Sequence, residues 1–171
     1  MAEHDKQDAV ALLKADHRKV EGLFAEFEKA SGSGRKQKLA EQICMELKIH
    51  TILEEEIFYP SCEGKVEEDK LEEAYVEHDA AKVLIAQIED ASPDADFYDA
   101  KVKVLSEEIE HHVEEEEKRI EGIFSQARKA GLDMDALGEQ MAARKAQLLA
   151  SYKADGRLPT QMSSMPEQPA P

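Results

Sequence analysis

The sequence is short of most of what builds a β-protein or a secreted scaffold. It has no tryptophan, only two cysteines in 171 residues, and aromatics make up 5% of the chain. Runs of alternating β-branched residues and Asn-Gly turns are absent, so strands have little to form from. Nowhere does an apolar run approach the ~18 residues of a membrane span, and the N-terminus, MAEHDKQDAV, is too polar for a signal peptide. These absences make a cytoplasmic location the expectation. The two cysteines, Cys44 and Cys62, fall on one expected helix, roughly 27 Å apart at 1.5 Å per residue, too far to bridge. Basic charge is scarce too: 22 Lys and Arg against 38 Asp and Glu give a net charge of −16. Such a surface repels nucleic acid and anionic membranes, and neither is expected as a partner.

What is abundant is Ala, Glu, Lys, Leu and Ile, the composition of helices. Loop signals divide the chain: SGSGR at 31–35, PSCEG at 60–64, DASPDAD at 90–96, and AGLD at 130–133, where Gly131 stops one helix and Asp133 caps the next. Helices are expected at about 5–30, 35–61, 65–90 and 96–129, with a shorter one at about 133–153. The fold class is all-α, an antiparallel up-down-up-down four-helix bundle with an extra C-terminal helix and a disordered tail. Residues 1–130 would form the bundle and 131–154 an accessory helix capping one end of it. Residues 155–171, Pro- and Ser-containing, would be the tail.

Each long helix carries one apolar stripe at three- and four-residue spacing, interrupted once by a histidine. The first runs Val10, Leu13, His17, Val20, Phe24, Phe27; the second Ile43, Leu47, His50, Glu54, Ile57, Phe58. The third runs Leu71, Tyr75, His78, Ala81, Ile85, Ile88; the fourth Leu105, Ile109, His112, Glu116, Ile120, Ile123. A histidine on such a stripe is ordinarily a hydrogen-bonded core residue. A carboxylate four residues further on the same face is harder to accommodate, because a buried carboxylate without a partner is costly. No Lys or Arg lies on these stripes. In an antiparallel bundle His17, His50, Glu54, His78, His112 and Glu116 fall within about one helical turn of the same level. His111, beside His112, falls on the polar side, and His4 precedes the stripes.

The pattern is also repeated. His17 and His78 are 61 residues apart, His50 and His112 are 62 apart, and so are Glu54 and Glu116. Three ligands from each half make a natural holder for two metal ions. Imidazole with carboxylate suits iron; zinc and manganese accept the same donors.

The motifs DHRKVEGLF, ELKIHTILEEEIFYP, VEHDAAKVLI and IEHHVEEEEKRI, in that order over about residues 8–128, resemble the hemerythrin-like, HHE cation-binding domain family. The resemblance implies two iron ions, oxo- or hydroxo-bridged. It also implies small-molecule partners: dioxygen, peroxide or nitric oxide. Family members include oxygen carriers, redox sensors and peroxide-decomposing proteins, and resemblance alone does not choose among them. Oxygen-carrying members have a second histidine four residues away on the third helix. Here those positions are Ala74 and Lys82, so one imidazole is missing; Tyr75 or Glu21 are the candidates to replace it. A more oxygen-ligated site weighs toward peroxide or redox chemistry over oxygen carriage. The other reading is a non-enzymatic sensor or binder of dioxygen, nitric oxide or iron. No catalytic acid or base is identifiable.

Overall fold

The structure is a computed structural model that describes residues 7–165. His4 lies outside them. The long helices are α1 (Ala9–Lys29), α2 (Ser33–Leu53), α4 (Glu68–Asp90) and α5 (Tyr98–Glu117), with α3 (Tyr59–Cys62), α6 (Ile123–Lys129) and α7 (Met134–Asp155) between and after them. No strand occurs among the described residues. Asp8 caps α1 by accepting from the Ala11 amide (2.8 Å), and Asp133 caps α7 by accepting from that of Ala136 (3.0 Å). Helix α1 packs on α2, α2 on α4, α4 on α5, and α5 returns to α1. Short connections make these neighbours antiparallel, and the result is the expected four-helix bundle.

Two apolar clusters fill the bundle. One gathers Val20, Leu23, Phe27, Ile43, Leu47, Ile85 and Leu105. The other gathers Leu13, Leu53, Phe58, Leu71, Ile123 and Met141. On α1 and α4 the histidine falls between the residues that the helix gives to the two clusters, His17 between Leu13 and Val20 and His78 between Ala74 and Ala81. His50 follows Leu47 of one cluster and precedes Leu53 of the other, and His112 follows Leu105 on a helix whose cluster residues all belong to the first. The stripes therefore deliver one polar layer between two dry ones.

Three features depart from the sequence reading. First, the second helix is not uniform: Glu54–Phe58 is a π-helical turn, in which the Tyr59 amide bonds the Glu54 carbonyl five residues back. Its cause is at hand in Pro60, whose ring in a regular helix would press on the carbonyl of Glu56. Widening the turn relieves that pressure, and the Ser61 hydroxyl donates to the Ile57 carbonyl (2.7 Å).

Second, the fourth helix ends at Glu117, and Ile120, expected on its stripe, is 82% exposed. Four successive glutamates, with no base in the last turn, put negative charge at the end of the helix dipole that disfavours it. The chain turns over at Gly122 and starts α6, which brings Phe124 in to stack on His17, ring centroids 5.8 Å apart.

Third, α7 does not cap an end. It packs lengthwise against α1 and α2. Arg144 binds Glu56 of the π turn (2.7 and 3.0 Å), and Lys145 binds Asp16 of α1. Residues 157–165 carry no helix or strand, as a tail would, yet they lie on the bundle with Leu158 only 3% exposed. The remainder of the expected tail, 166–171, lies outside the described residues.

Gly122 offers a direct test. A Cβ there would stand 2.4 Å from the Glu116 carbonyl oxygen and 2.5 Å from that of Lys118. Gly122→Ala should destabilise the protein by about 1–3 kcal/mol, the usual cost of overpacking. The loss would appear as a lower midpoint in thermal or denaturant unfolding.

Candidate metal centre

All six stripe residues converge, and all are buried, Glu54 at 0% and Glu116 at 1% exposure. The four imidazoles form two pairs. His17 and His50 bring their Nε2 atoms to 3.1 Å, and His78 and His112 do the same at 3.1 Å. Each carboxylate reaches both pairs. Glu54 stands 3.2 Å from His50 Nε2 through Oε1 and 3.1 Å from His78 Nε2 through Oε2. Glu116 stands 3.3 Å from His17 Nε2 through Oε2 and 3.6 Å from His112 Nε2 through Oε1. The histidines divide by halves of the chain, as the repeat suggests. The carboxylates are instead shared between the two pairs.

The donor set fits a cation. His17, His50, Glu54 and Glu116 offer ligand atoms within 4.8 Å of one another, and so do Glu54, His78 and His112. Glu54 Oε1 and Glu116 Oε2 are buried without a hydrogen-bond partner, although imidazole nitrogens stand close by. A cation between oxygen and nitrogen satisfies both, where a bare oxygen left in the interior costs about 1–3 kcal/mol or more.

A seventh group completes the layer. The Tyr59 hydroxyl donates to Glu116 Oε1 (2.6 Å), lies 3.2 Å from Glu54 Oε2, and stands 3.3 and 3.5 Å from His78 and His112 Nε2. Burial, together with the charges of Glu116 and Glu54, pushes its pKa well above the ordinary tyrosine value. In a regular helix Tyr59 would point about 140° away from Glu54, and the π turn brings the two onto one face. Neither Tyr75 nor Glu21, the two candidates to replace the missing imidazole, reaches the layer. Tyr75 packs edge-on against the Tyr59 ring, centroids 5.3 Å apart, and Glu21 is exposed and paired with Arg18.

Behind the layer, each histidine turns its Nδ1 to an acid. His17 meets Glu117 at 2.7 Å, His78 meets Glu55 at 3.0 Å, His112 meets Glu77 at 2.5 Å, and His50 faces Asp16 at 3.7 Å. Carboxylates in this position fix which nitrogen carries the proton and leave Nε2 free to ligate. His111 is exposed and 3.5 Å from Glu77, outside the layer. Cys44 and Cys62 are buried free thiols, both pushed up to about 12, chiefly by burial.

Without metal, neighbouring acids favour the protonated imidazole at His50 and His78. Burial lowers the pKa of His50, but the close carboxylates of Glu54 and Asp16 outweigh it and raise it to about 10. Burial likewise opposes, and Glu54 and Glu55 overcome, at His78, which rises to about 9. A group whose pKa is raised on folding contributes its stability fully below its unfolded value, here 6.5, and loses it as pH climbs through the folded one. Metal-stripped protein should therefore lose stability as pH rises from about 6.5 to about 10, measured by denaturant unfolding at a series of pH values. Metal ligates neutral imidazole, so loading at pH 7 should release protons into weakly buffered solution.

A DNA nickase of Nostoc sp. is 32% identical over 118 residues, which are 68% of this chain and 34% of that protein. The chain thus spans about a third of that relative's length. The crystal structure of a hemerythrin HHE cation binding domain-containing protein from Mycobacterium kansasii superposes with a TM-score of 0.71. It covers 88% of this chain and 95% of its own at 22% identity, a likeness of fold. The family described as Hemerythrin HHE cation binding domain matches residues 8–124, and the chain belongs to that family.

Proposed function

We propose that this protein holds two iron ions in the polar layer and uses them on hydrogen peroxide or dioxygen. The observation that carries the reading is the pairing itself. Two imidazole pairs, each with Nε2 atoms 3.1 Å apart, share two carboxylates that each reach both pairs. One ion would sit with His17 and His50 and the other with His78 and His112, and Glu54 and Glu116 would serve both. Tyr59, 3.3 and 3.5 Å from His78 and His112 Nε2, would offer an oxygen on that side of the layer. The mixture of imidazole, carboxylate and phenol oxygen favours iron over softer metals.

When bound, the pair supplies one-electron redox chemistry and Lewis acidity to a small oxygen species. The chain's own contribution is to hold and exclude. The acids on Nδ1 fix the four rings. Val20, Leu47, Ala81, Ile85, Ile109 and Val113 line, with the four histidines, a small apolar cavity beside the layer that admits little more than a water-sized molecule. Tyr59 holds a proton at its hydroxyl against Glu116, on the opposite side of the layer from those apolar residues. No helix among the described residues is long and apolar enough to cross a membrane.

Protein purified after iron-replete expression should carry close to two irons per chain by elemental analysis. Less than half an iron would sink the di-iron reading. Peroxide added to the iron-loaded protein should evolve oxygen, and His50→Ala and Glu116→Ala should abolish that evolution together with iron retention. A spectral change on adding dioxygen or nitric oxide, with no turnover of peroxide, would instead mark a binder or sensor.

A further inference from the structure

The family's residues end at 124, so α7 and the segment after it lie outside the matched domain. They nevertheless touch the shell around the metal layer at two places, one behind each histidine pair. On the first side, Lys145 of α7 binds Asp16 Oδ1, and the other oxygen of Asp16 faces His50 Nδ1. On the second side, the Ser163 hydroxyl donates to Glu55 Oε2 (2.7 Å), and Glu55 Oε1 is the partner of His78 Nδ1.

The second contact is firmly built. Asp79, fully buried one residue after His78, accepts from the backbone amides of Ser163 (2.9 Å), Ser164 (2.6 Å) and Met165 (2.8 Å), and from the Ser164 hydroxyl (2.7 Å). Lys82 joins the two acids: it donates to both oxygens of Glu55 (2.8 and 3.0 Å), to Asp79 (3.1 Å) and to the Gln161 carbonyl (2.8 Å). Upstream, Lys48 donates to the Leu158 carbonyl (2.9 Å) while paired with Glu89, and Arg157 binds Asp90. The strap is thus fastened at 157–158 and again at 163–165. Three successive amides on one carboxylate form a binding geometry for an anion, and here the bundle itself supplies the anion.

We propose that α7 and residues 157–165 form an outer clasp of the metal centre, holding His50 through Lys145 and Asp16 and His78 through Ser163 and Glu55. This rests on metal binding in the layer and not on peroxide chemistry. Lys145, Asp79 and Ser163 are positioning residues that touch no ligand atom of the centre. Because the coupling is reciprocal, metal must tighten the clasp by as much as the clasp tightens metal.

The test uses full-length protein loaded with iron and challenged with excess EDTA, with hydrogen exchange followed at the 163–165 amides. Asp79→Asn and Lys145→Met should each release iron faster, by up to about 10-fold, the lower end of what loss of a ligating histidine's own partner costs in affinity. In the wild type those amides should exchange more slowly with iron than without it, and Asp79→Asn should abolish the difference. Should Asp79→Asn fail to fold, Ser163→Ala removes the hydroxyl that donates to Glu55 and accepts from Lys82, and should still speed iron loss. Iron release at the wild-type rate in folded variants would overturn the proposal, as would equal amide exchange with and without iron. A wild type that retains no iron brings down the metal reading itself, and so is told apart from failure of the clasp alone.

Discussion

Two carboxylates sit at the centre of this bundle with almost no access to water, and the rest of the structure answers to them. An ionised carboxylate in an apolar interior is stable only beside cations or strong donors. Glu54 and Glu116 receive four imidazoles, one phenol and, in the loaded protein, metal. That demand accounts for the layered architecture. Apolar clusters on either side exclude water, and the polar groups gather between them. Removing one member would leave the others buried and unpaired, which is why the layer behaves as a unit.

The acidic composition takes on a second meaning around this layer. Glu117, Asp16, Glu55 and Glu77 each back a different histidine. In the run of four glutamates at 114–117, the first is solvated, while the third enters the layer and the fourth orients His17 and binds Arg18. Part of the negative charge is therefore a ring around a cation site, and counting charges along the chain does not separate that part from the solvated faces.

The bundle, its polar layer and the six inner residues were legible because helical period is written directly into the sequence. His17, His50, His78 and His112 fall on stripes of 3.6-residue spacing, and Glu54 and Glu116 follow one turn later. Tyr59 was not legible by that rule, since the rule assumes an unbroken period and the π turn breaks it. The available signal was Pro60 inside an otherwise helical stretch, which reads more readily as a helix end than as a widened turn. Ile120 matched its stripe but lies beyond a helix end set by charge at Glu114–Glu117 and by the close turn at Gly122. The strap escaped because its main bonds are made by backbone amides, which every residue carries, and because only Leu158 marks it as something to bury. The position of α7 along α1 and α2 depends on contacts such as Lys145 to Asp16, and a pair of opposite charges 129 residues apart leaves no trace in local pattern.

The π turn at Glu54–Phe58 also bears on how such a site changes over generations. Relative to a regular helix, the turn holds one surplus residue, and everything after it is rotated by that residue. A single-codon insertion or deletion after Glu54 exchanges the residue facing the polar layer while leaving His50 and Glu54 in place. The identity of the last inner residue is thus set by helix length as much as by residue substitution. Members of the family that differ by one residue between the second histidine motif and the following proline would then present different groups to the metal from nearly the same sequence.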